Sequence, residues 1–295
     1  FKITNGNQTG ATDADYSVIS YVFESQDMAN SGWNYTSSSS YITLSFWCKS
    51  SVAQNFFFSV FTQDGTQHQY TMETGSLTAD TWTKIIKTIP GNSNVQFDTD
   101  TQANSIARGF DIQWSLFRGA NTTGTRPLNA WAAVDSTSRT PDMTSTWYTT
   151  DDATFEITGV QLEVGSQVTP FEHRSFGDEL TLCQRYYQKH RHGTYRGLNF
   201  IGRKTGSDTV VGSAYGFIPM RTAATGTING GGSYRLFRLT DGSTATPTGV
   251  NFTHENFEPY NALKFTASTT SFSTNNMCTM YTMAAAGTME LDAEL

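Results

Sequence analysis

Five aromatic residues stand where sugar recognition would use them. Trp33, Tyr35, Trp131, Trp147 and Tyr148 lie among Ser, Asn and Thr in segments that read as loops. The C–H face of a pyranose stacks on such rings, while loop amides and hydroxyls read its hydroxyl groups. Packing of each ring on its own loop is the competing reading, because large aromatics are buried on average wherever they occur. Trp47, Trp82 and Trp114 fall inside strand patterns and read as core.

Other residues suggest chemistry more weakly. Glycan cleavage needs two carboxyls flanking one bond. Asp13/Asp15, Asp98/Asp100 and Asp151/Asp152 are acidic clusters in loop-like segments; closeness in sequence does not place two carboxyls across a sugar, and solvated loops are the better explanation. Glu156, Gln161 and Glu163 lie on a strand, where outward polar positions follow from alternation. No Gly-x-Ser-x-Gly elbow, His-Glu-x-x-His pair or phosphate loop occurs, so no enzymatic activity is expected. Asp98 and Asp100 offer hard oxygen ligands suited to a structural calcium ion, with Asp13, Asp15 and Glu24 as looser candidates. No other cofactor is expected. The basic run Lys189–His192 has the charge to grip an anionic glycan or phosphate, but placement at a helix C-terminus, where positive charge is favoured, is the stronger explanation.

Those residues need elements to hold them. The chain has 295 residues, 37% hydrophobic, 13% aromatic and only 15% charged, and Ser, Thr, Asn, Gln and Gly make up the balance. That mixture suits short strands and polar turns and exceeds what one core fills, so two domains are expected. A net charge of −7 argues against nucleic acid as a partner, and no apolar run approaches a membrane span. Cys48, Cys183 and Cys278 have neither metal nor redox spacing and are expected to be free and buried, as in a protein assembled inside a reducing cytoplasm.

Period-2 alternation marks strand after strand. Ile42, Leu44, Phe46 and Cys48 share one face, and further strand patterns begin at Phe56, His68, Trp82, Gly109 and Thr154. Turn signals at Asp64-Gly65, Pro90-Gly91-Asn92 and residues 119–124 separate them. The stretch 126–150 reads as a long loop with little structure of its own. From Phe176 to His192 the pattern changes: Phe176, Leu180, Cys183 and Tyr187 form a helical stripe, capped by Ser175 and stopped by Gly193. Beyond it, β patterns resume to the C-terminus. The expectation is an all-β chain: an antiparallel, jelly-roll-like sandwich over 1–174, a connecting helix over 175–193, and a second β-sandwich over 194–295.

Three strings carry a family likeness: FEITGVQLEVGS from Phe155, TPFEHRSFGDEL from Thr169, and CQRYY from Cys183. Together they resemble a signature recurring in virion proteins of tailed bacteriophages, among them tail fibres and minor tail proteins. Upstream, LSFWCKSS from Leu44, Thr81–Lys84, Ile89–Asn92 and GFDIQW from Gly109 are similar to preceding strands of the same module, which in outline is similar to carbohydrate-binding jelly rolls. The resemblance implies a structural protein at the virion surface, with other virion proteins as partners and a host-surface glycan as ligand. A purely architectural connector and a fragment of a polysaccharide depolymerase are the alternatives. By analogy with fibres it also implies a homo-oligomer, a trimer first, locked through the Phe176/Leu180/Cys183/Tyr187 stripe. It transfers no catalytic or ligand constellation. The residues have plain structural uses too: Gly159 permits a bulge, Thr169-Pro170 stops the strand, and Phe171 caps the end of the sandwich.

Overall fold

A computed structural model describes residues 1–97, 108–191, 197–206, 209–214, 218–221, 224–229, 234–247, 250–253, 263–269, 271–282 and 288–293. The chain is all-β with short helices, and it divides into two compact units, Phe1–His173 and Arg174–Glu294.

The first unit holds β1 (Lys2–Thr4), β2 (Tyr16–Glu24), β3 (Tyr41–Ser50), β4 (Asn55–Thr62), β5 (His68–Ser76), β6 (Thr83–Pro90), β7 (Arg108–Arg118), β8 (Trp131–Ala133) and β9 (Thr154–Val164). Two one-turn helices, α1 (Ser25–Ala29) and α2 (Thr146–Thr149), interrupt them. The strands form a four-stranded sheet ordered β1-β9-β3-β6 and a five-stranded sheet ordered β2-β7-β4-β5-β8, antiparallel throughout. Alternation sorts their side chains. Ile42, Leu44, Phe46 and Cys48 of β3 enter a core shared with Phe56, Phe58 and Val60 of β4 and Phe110, Ile112 and Trp114 of β7. Phe46 joins the sheets, its ring edge-on to Phe58 at 5.0 Å and to Trp114 at 5.6 Å. Such edge-to-face pairs add about 0.5–1.5 kcal/mol each beyond the buried area.

Two glycines do what their positions ask. Gly65 takes φ 59° in the turn between β4 and β5, its N–H held by the Asp64 carboxylate at 2.8 Å. Gly159 takes φ 58° where the β3–β9 register shifts between Ser45 and Trp47, which is the expected bulge. A Cβ there would meet Trp47 at 3.4 Å and Phe171 at 3.9 Å. Phe171 therefore does not cap an end of the unit as expected; it is exposed beside Trp47. The stretch 126–150 also differs from expectation. It carries β8 and α2, and a bridge from Thr123 to Thr140 ties its start back on itself.

The second unit opens with α3 (Phe176–Gln184). Ser175 caps it as expected, its hydroxyl accepting from the Asp178 N–H, and Arg174 pairs with Glu179 at 3.2 Å. The helix ends earlier than its stripe suggests. Tyr187–Arg191 is a strand, β10, and its register places Tyr187 opposite Asp292 and His190 opposite Met289. The pairing strand, β19 (Thr288–Asp292), supplies ladder hydrogen bonds that outweigh continued helix for a tyrosine-rich segment. Tyr187 thus leaves the stripe, and the Lys189 charge meets Glu290 across strands, not a helix terminus. His192 and Gly193 lie outside the described residues.

β10 and β19 belong to a three-stranded sheet, β10-β19-β13, with β13 spanning Thr225–Asn229. The larger sheet contains β11 (Gly197–Lys204), β12 (Thr209–Ala214), β14 (Tyr234–Arg238), β15 (Thr244–Ala245), β16 (Val250–Thr253), β17 (Leu263–Ser268) and β18 (Met277–Thr282), in the order β15-β14-β18-β11-β12-β17-β16. Met289 and Leu291 of the small sheet share a core with Val210, Tyr234, Leu236, Cys278 and Met280 of the large one.

Candidate functional site

The five loop aromatics do not form an open platform. Trp33 and Trp147 are core residues: the Trp33 indole N–H donates to the Ser40 carbonyl at 3.3 Å, and that of Trp147 to the Thr154 carbonyl at 3.1 Å. Both are thereby corrected as sugar-stacking candidates, because a ring with both faces packed has none to offer. The other three are half-buried. Tyr35 packs edge-on to Phe97 at 4.9 Å, and Tyr148 stacks on Phe117 at 4.5 Å. Trp131 leans on Tyr70 and donates to the Pro90 carbonyl at 2.7 Å.

The exposed tryptophans are Trp47 and Trp82, at 42% and 41%, the reverse of the core placement expected from their strand surroundings. Trp47 points away from Phe46 and Cys48 by alternation, onto the outer face of the four-stranded sheet. Lys49 lies on that face 5.3 Å from the Trp82 ring and 3.0 Å from Glu156. A return segment is fastened to the same face. The Gln161 amide accepts from the Glu172 N–H at 2.8 Å, and Glu163 accepts from the N–H and the hydroxyl of Thr169. Burial would raise the Glu163 carboxyl, but the hydrogen bonds from Thr169 and Gln161 more than reverse it and hold it below the usual range.

The outer face of the five-stranded sheet is different in kind. Register aligns three rows across it: Val18, Ser115, Phe57 and Glu73; Ser20, Gln113, Ser59 and Thr71; Val22, Asp111, Phe61 and Gln69. Hydroxyl, amide and carboxylate groups alternate with phenyl rings, the mixture that binds a ring carrying both apolar C–H and polar O–H. Segment 119–143 covers the β4–β5 half. The Gln69 amide donates to Ser59 at 2.9 Å, to Thr71 at 2.8 Å and to the Arg139 carbonyl at 2.5 Å. On the β2–β7 half Ser115 and Asp111 are buried, but Tyr16 and Ser20 are exposed and Gln113 and Arg118 half-buried, so the accessible part is β2 with the Gln113/Arg118 stretch of β7.

Arginines give the face its electrostatics. The β2–β7 register shifts between Ser17 and Val18, and past that shift Arg118 pairs with Tyr16. Its guanidinium reaches back along β7, donating to Ser115 at 2.9 Å and to Gln113 at 3.3 Å, both neutral. Burial first, and the charge of Arg139 second, bring Arg118 down to about 10. Arg139 lies half-buried 5.7 Å from the Phe61 ring. Arg126 is buried, donates to the carbonyls of Ala132 and Ala133, and leaves its Nε without a partner. Burial lowers it as well, Asp135 opposes that, and Arg139 adds to it. Asp111, fully buried, is held by the Arg108 Nε and the Gln63 amide, each at 2.8 Å. None of these arginine placements was expected from sequence. Arg118 and Arg139 are unremarkable locally, and only register brings them together.

The helix stripe is partly present. Phe176, Leu180 and Cys183 lie on α3, and no residue of that helix is buried; Phe176 is 81% exposed. All three cysteines are free, but Cys183 is exposed, which corrects the expectation that all are buried. Burial pushes the Cys48 thiol up to about 12 and the Cys278 thiol up to about 11. Since thiolate is the nucleophile, an aromatic disulfide reagent at neutral pH is expected to label at most one thiol per native chain, Cys183, and three after denaturation. Labelling of Cys48 at a comparable rate, identified by peptide mass, would contradict this placement.

Asp98 and Asp100 lie outside the described residues. Among the described residues no group of three or more His, Cys, Asp or Glu is placed to hold a metal ion, and no helix is long and apolar enough to cross a membrane. No family model matches the chain, and no curated protein matches it significantly.

Proposed function

We propose that the chain is a structural and adhesion component of a tailed-bacteriophage virion, a tail fibre or similar appendage, and that its first unit binds a host-surface glycan without turning it over. The observation that carries the binding role is the three-row outer face of the five-stranded sheet, accessible along β2 and at Gln113 and Arg118 of β7. A sheet of fixed register presents its donors pre-ordered, which lowers the entropy cost of binding a flexible saccharide. The virion assignment rests on the likeness carried by the strings from Phe155 to Tyr187. Their Gln161, Glu163, Thr169 and Glu172 are joined by hydrogen bonds, so part of that signature is a latch that folds as one piece. A glycan array probed with the purified chain tests the proposal. Binding to surface polysaccharides supports it, and silence at high protein concentration contradicts it.

The architectural reading, a capsid decoration or connector touching only other virion proteins, is favoured by Trp47, Trp82 and Ile86, exposed at or beside the outer face of the four-stranded sheet. The two readings use different faces and are separable by mutation.

Self-association through α3 belongs to the same proposal. A nine-residue helix that buries nothing is marginal in water, and Phe176, Leu180 and Leu182 are all exposed. Covering them with another copy removes that apolar surface from water, and display of several copies makes weak glycan sites effective together. Light scattering is expected to give an oligomeric mass, a trimer first, which Phe176→Ser/Leu180→Ser reduces to the monomer. A wild-type monomer at micromolar concentration would remove this part of the account.

A further inference from the structure

We infer that the accessible half of the five-stranded face takes an acidic saccharide, binding its carboxylate between Arg118 and Arg139. This rests on the glycan reading above and names the ligand class. Each guanidinium is half-buried, and neither makes an ion pair among the described residues. Among the described residues Arg118 donates to the neutral oxygens of Ser115 and Gln113, and Arg139 packs on the ring of Phe61 with no carboxylate paired to it. Two partly desolvated cations over neighbouring rows of one sheet face, Arg118 on Gln113 and Arg139 on Phe61, with no acid paired to either, are an unfavourable arrangement that an oxyanion relieves. The carboxylates around them do not supply it: Asp111 is already bound by Arg108 and Gln63, Glu73 by Asn55, and Asp135, whose charge reaches Arg139, is exposed and turned to the N–H and hydroxyl of Thr137.

Orientation favours a planar carboxylate on a sugar over a free ion. A guanidinium fork matches a carboxylate in two parallel hydrogen bonds. Ser20, in the row beside Gln113, is exposed and offers a hydroxyl to the rest of the ring, and the Tyr16 ring flanks Arg118 on β2. A mobile sulfate or phosphate would use the arginines alone.

The test compares uronate-bearing polysaccharides (polygalacturonate, alginate, hyaluronate) with neutral ones (dextran, mannan, galactan), using the full chain. A second arm measures the thermal midpoint in sodium sulfate against sodium chloride at equal ionic strength. Binding is expected only to the uronate set, falling at least tenfold in Arg118→Gln and in Arg139→Gln, and weakening as salt rises. Arg139→Gln removes a side chain that makes no hydrogen bond, so its fold is expected to persist even where Arg118→Gln is destabilised. Neutral polysaccharides bound as well as acidic ones would overturn the inference and leave the glycan reading intact. Uronate binding that survives both substitutions would do the same. A sulfate shift lost in Arg139→Gln, with no polysaccharide bound, would mean an adventitious ion only and would overturn both. No binding to either set and no sulfate shift would also overturn both.

Discussion

Trp147→Ala is expected to lower the stability of the first unit by about 3–5 kcal/mol, the range for truncating a large buried aromatic. The side chain is fully buried, its ring meets Phe56 at 6.4 Å, and its indole N–H is satisfied by the Thr154 carbonyl. Truncation leaves a cavity and takes away one of that carbonyl's two donors, the Ser51 N–H remaining at 3.0 Å. The backbone N–H of Trp147, which donates to the buried Gln54 side chain at 2.9 Å, ties α2 to the end of β4 and would lose its support. Trp82→Ala is the control. Its ring is two-fifths exposed and takes part mainly in the contact with Lys49, so a loss of under about 1 kcal/mol is expected. Denaturant unfolding of the full chain, followed by near-ultraviolet circular dichroism, compares the two. Equal losses would contradict the assignment of Trp147 to the core and Trp82 to the surface.

The second large effect concerns Asp111. Arg108→Ala leaves its fully buried carboxylate with the Gln63 amide as the remaining donor. Removing one partner of a buried pair costs about 3–5 kcal/mol. Here the low end applies, because the Arg108 side chain is 47% exposed and its charge is screened by water. Asp111 sits in a row between Val22 and Phe61, so an apolar side chain fits its neighbours. The double variant Arg108→Ala/Asp111→Leu is therefore expected to recover most of the loss, since the uncompensated charge is gone. A double variant as unstable as Arg108→Ala would show that the pair stabilises by more than charge compensation.

The sequence carried the β architecture because alternation is local. Ile42, Leu44, Phe46 and Cys48 share one face in the pattern and in the structure, and that parity already turns Trp47 outward. Hydrophobicity alone points Trp47 to the core, but its position on β3 decides and leaves it exposed. Trp33 and Trp147 erred in the opposite direction. Polar neighbours suggest a surface loop, but they do not record that the loop folds its tryptophan inward. The helix shows where local signals stop. Ser175 and Asp178 set its start as expected, whereas its end is decided by β19, about a hundred residues away. The arginine face was illegible for the same reason. Arg118 and Arg139 lie on different segments with no motif between them, and they meet through strand register and the path of the covering segment.

Chemical-shift mapping of the full chain with the polysaccharide that gives the strongest array signal tests the central claim most directly. Amide shifts are expected to concentrate on β2 and β7 around Tyr16, Ser20, Gln113 and Arg118, with further shifts at Arg139. Shifts clustered instead around Trp47, Trp82 and Ile86, or confined to the second unit, would contradict the assignment of the five-stranded face as the glycan site.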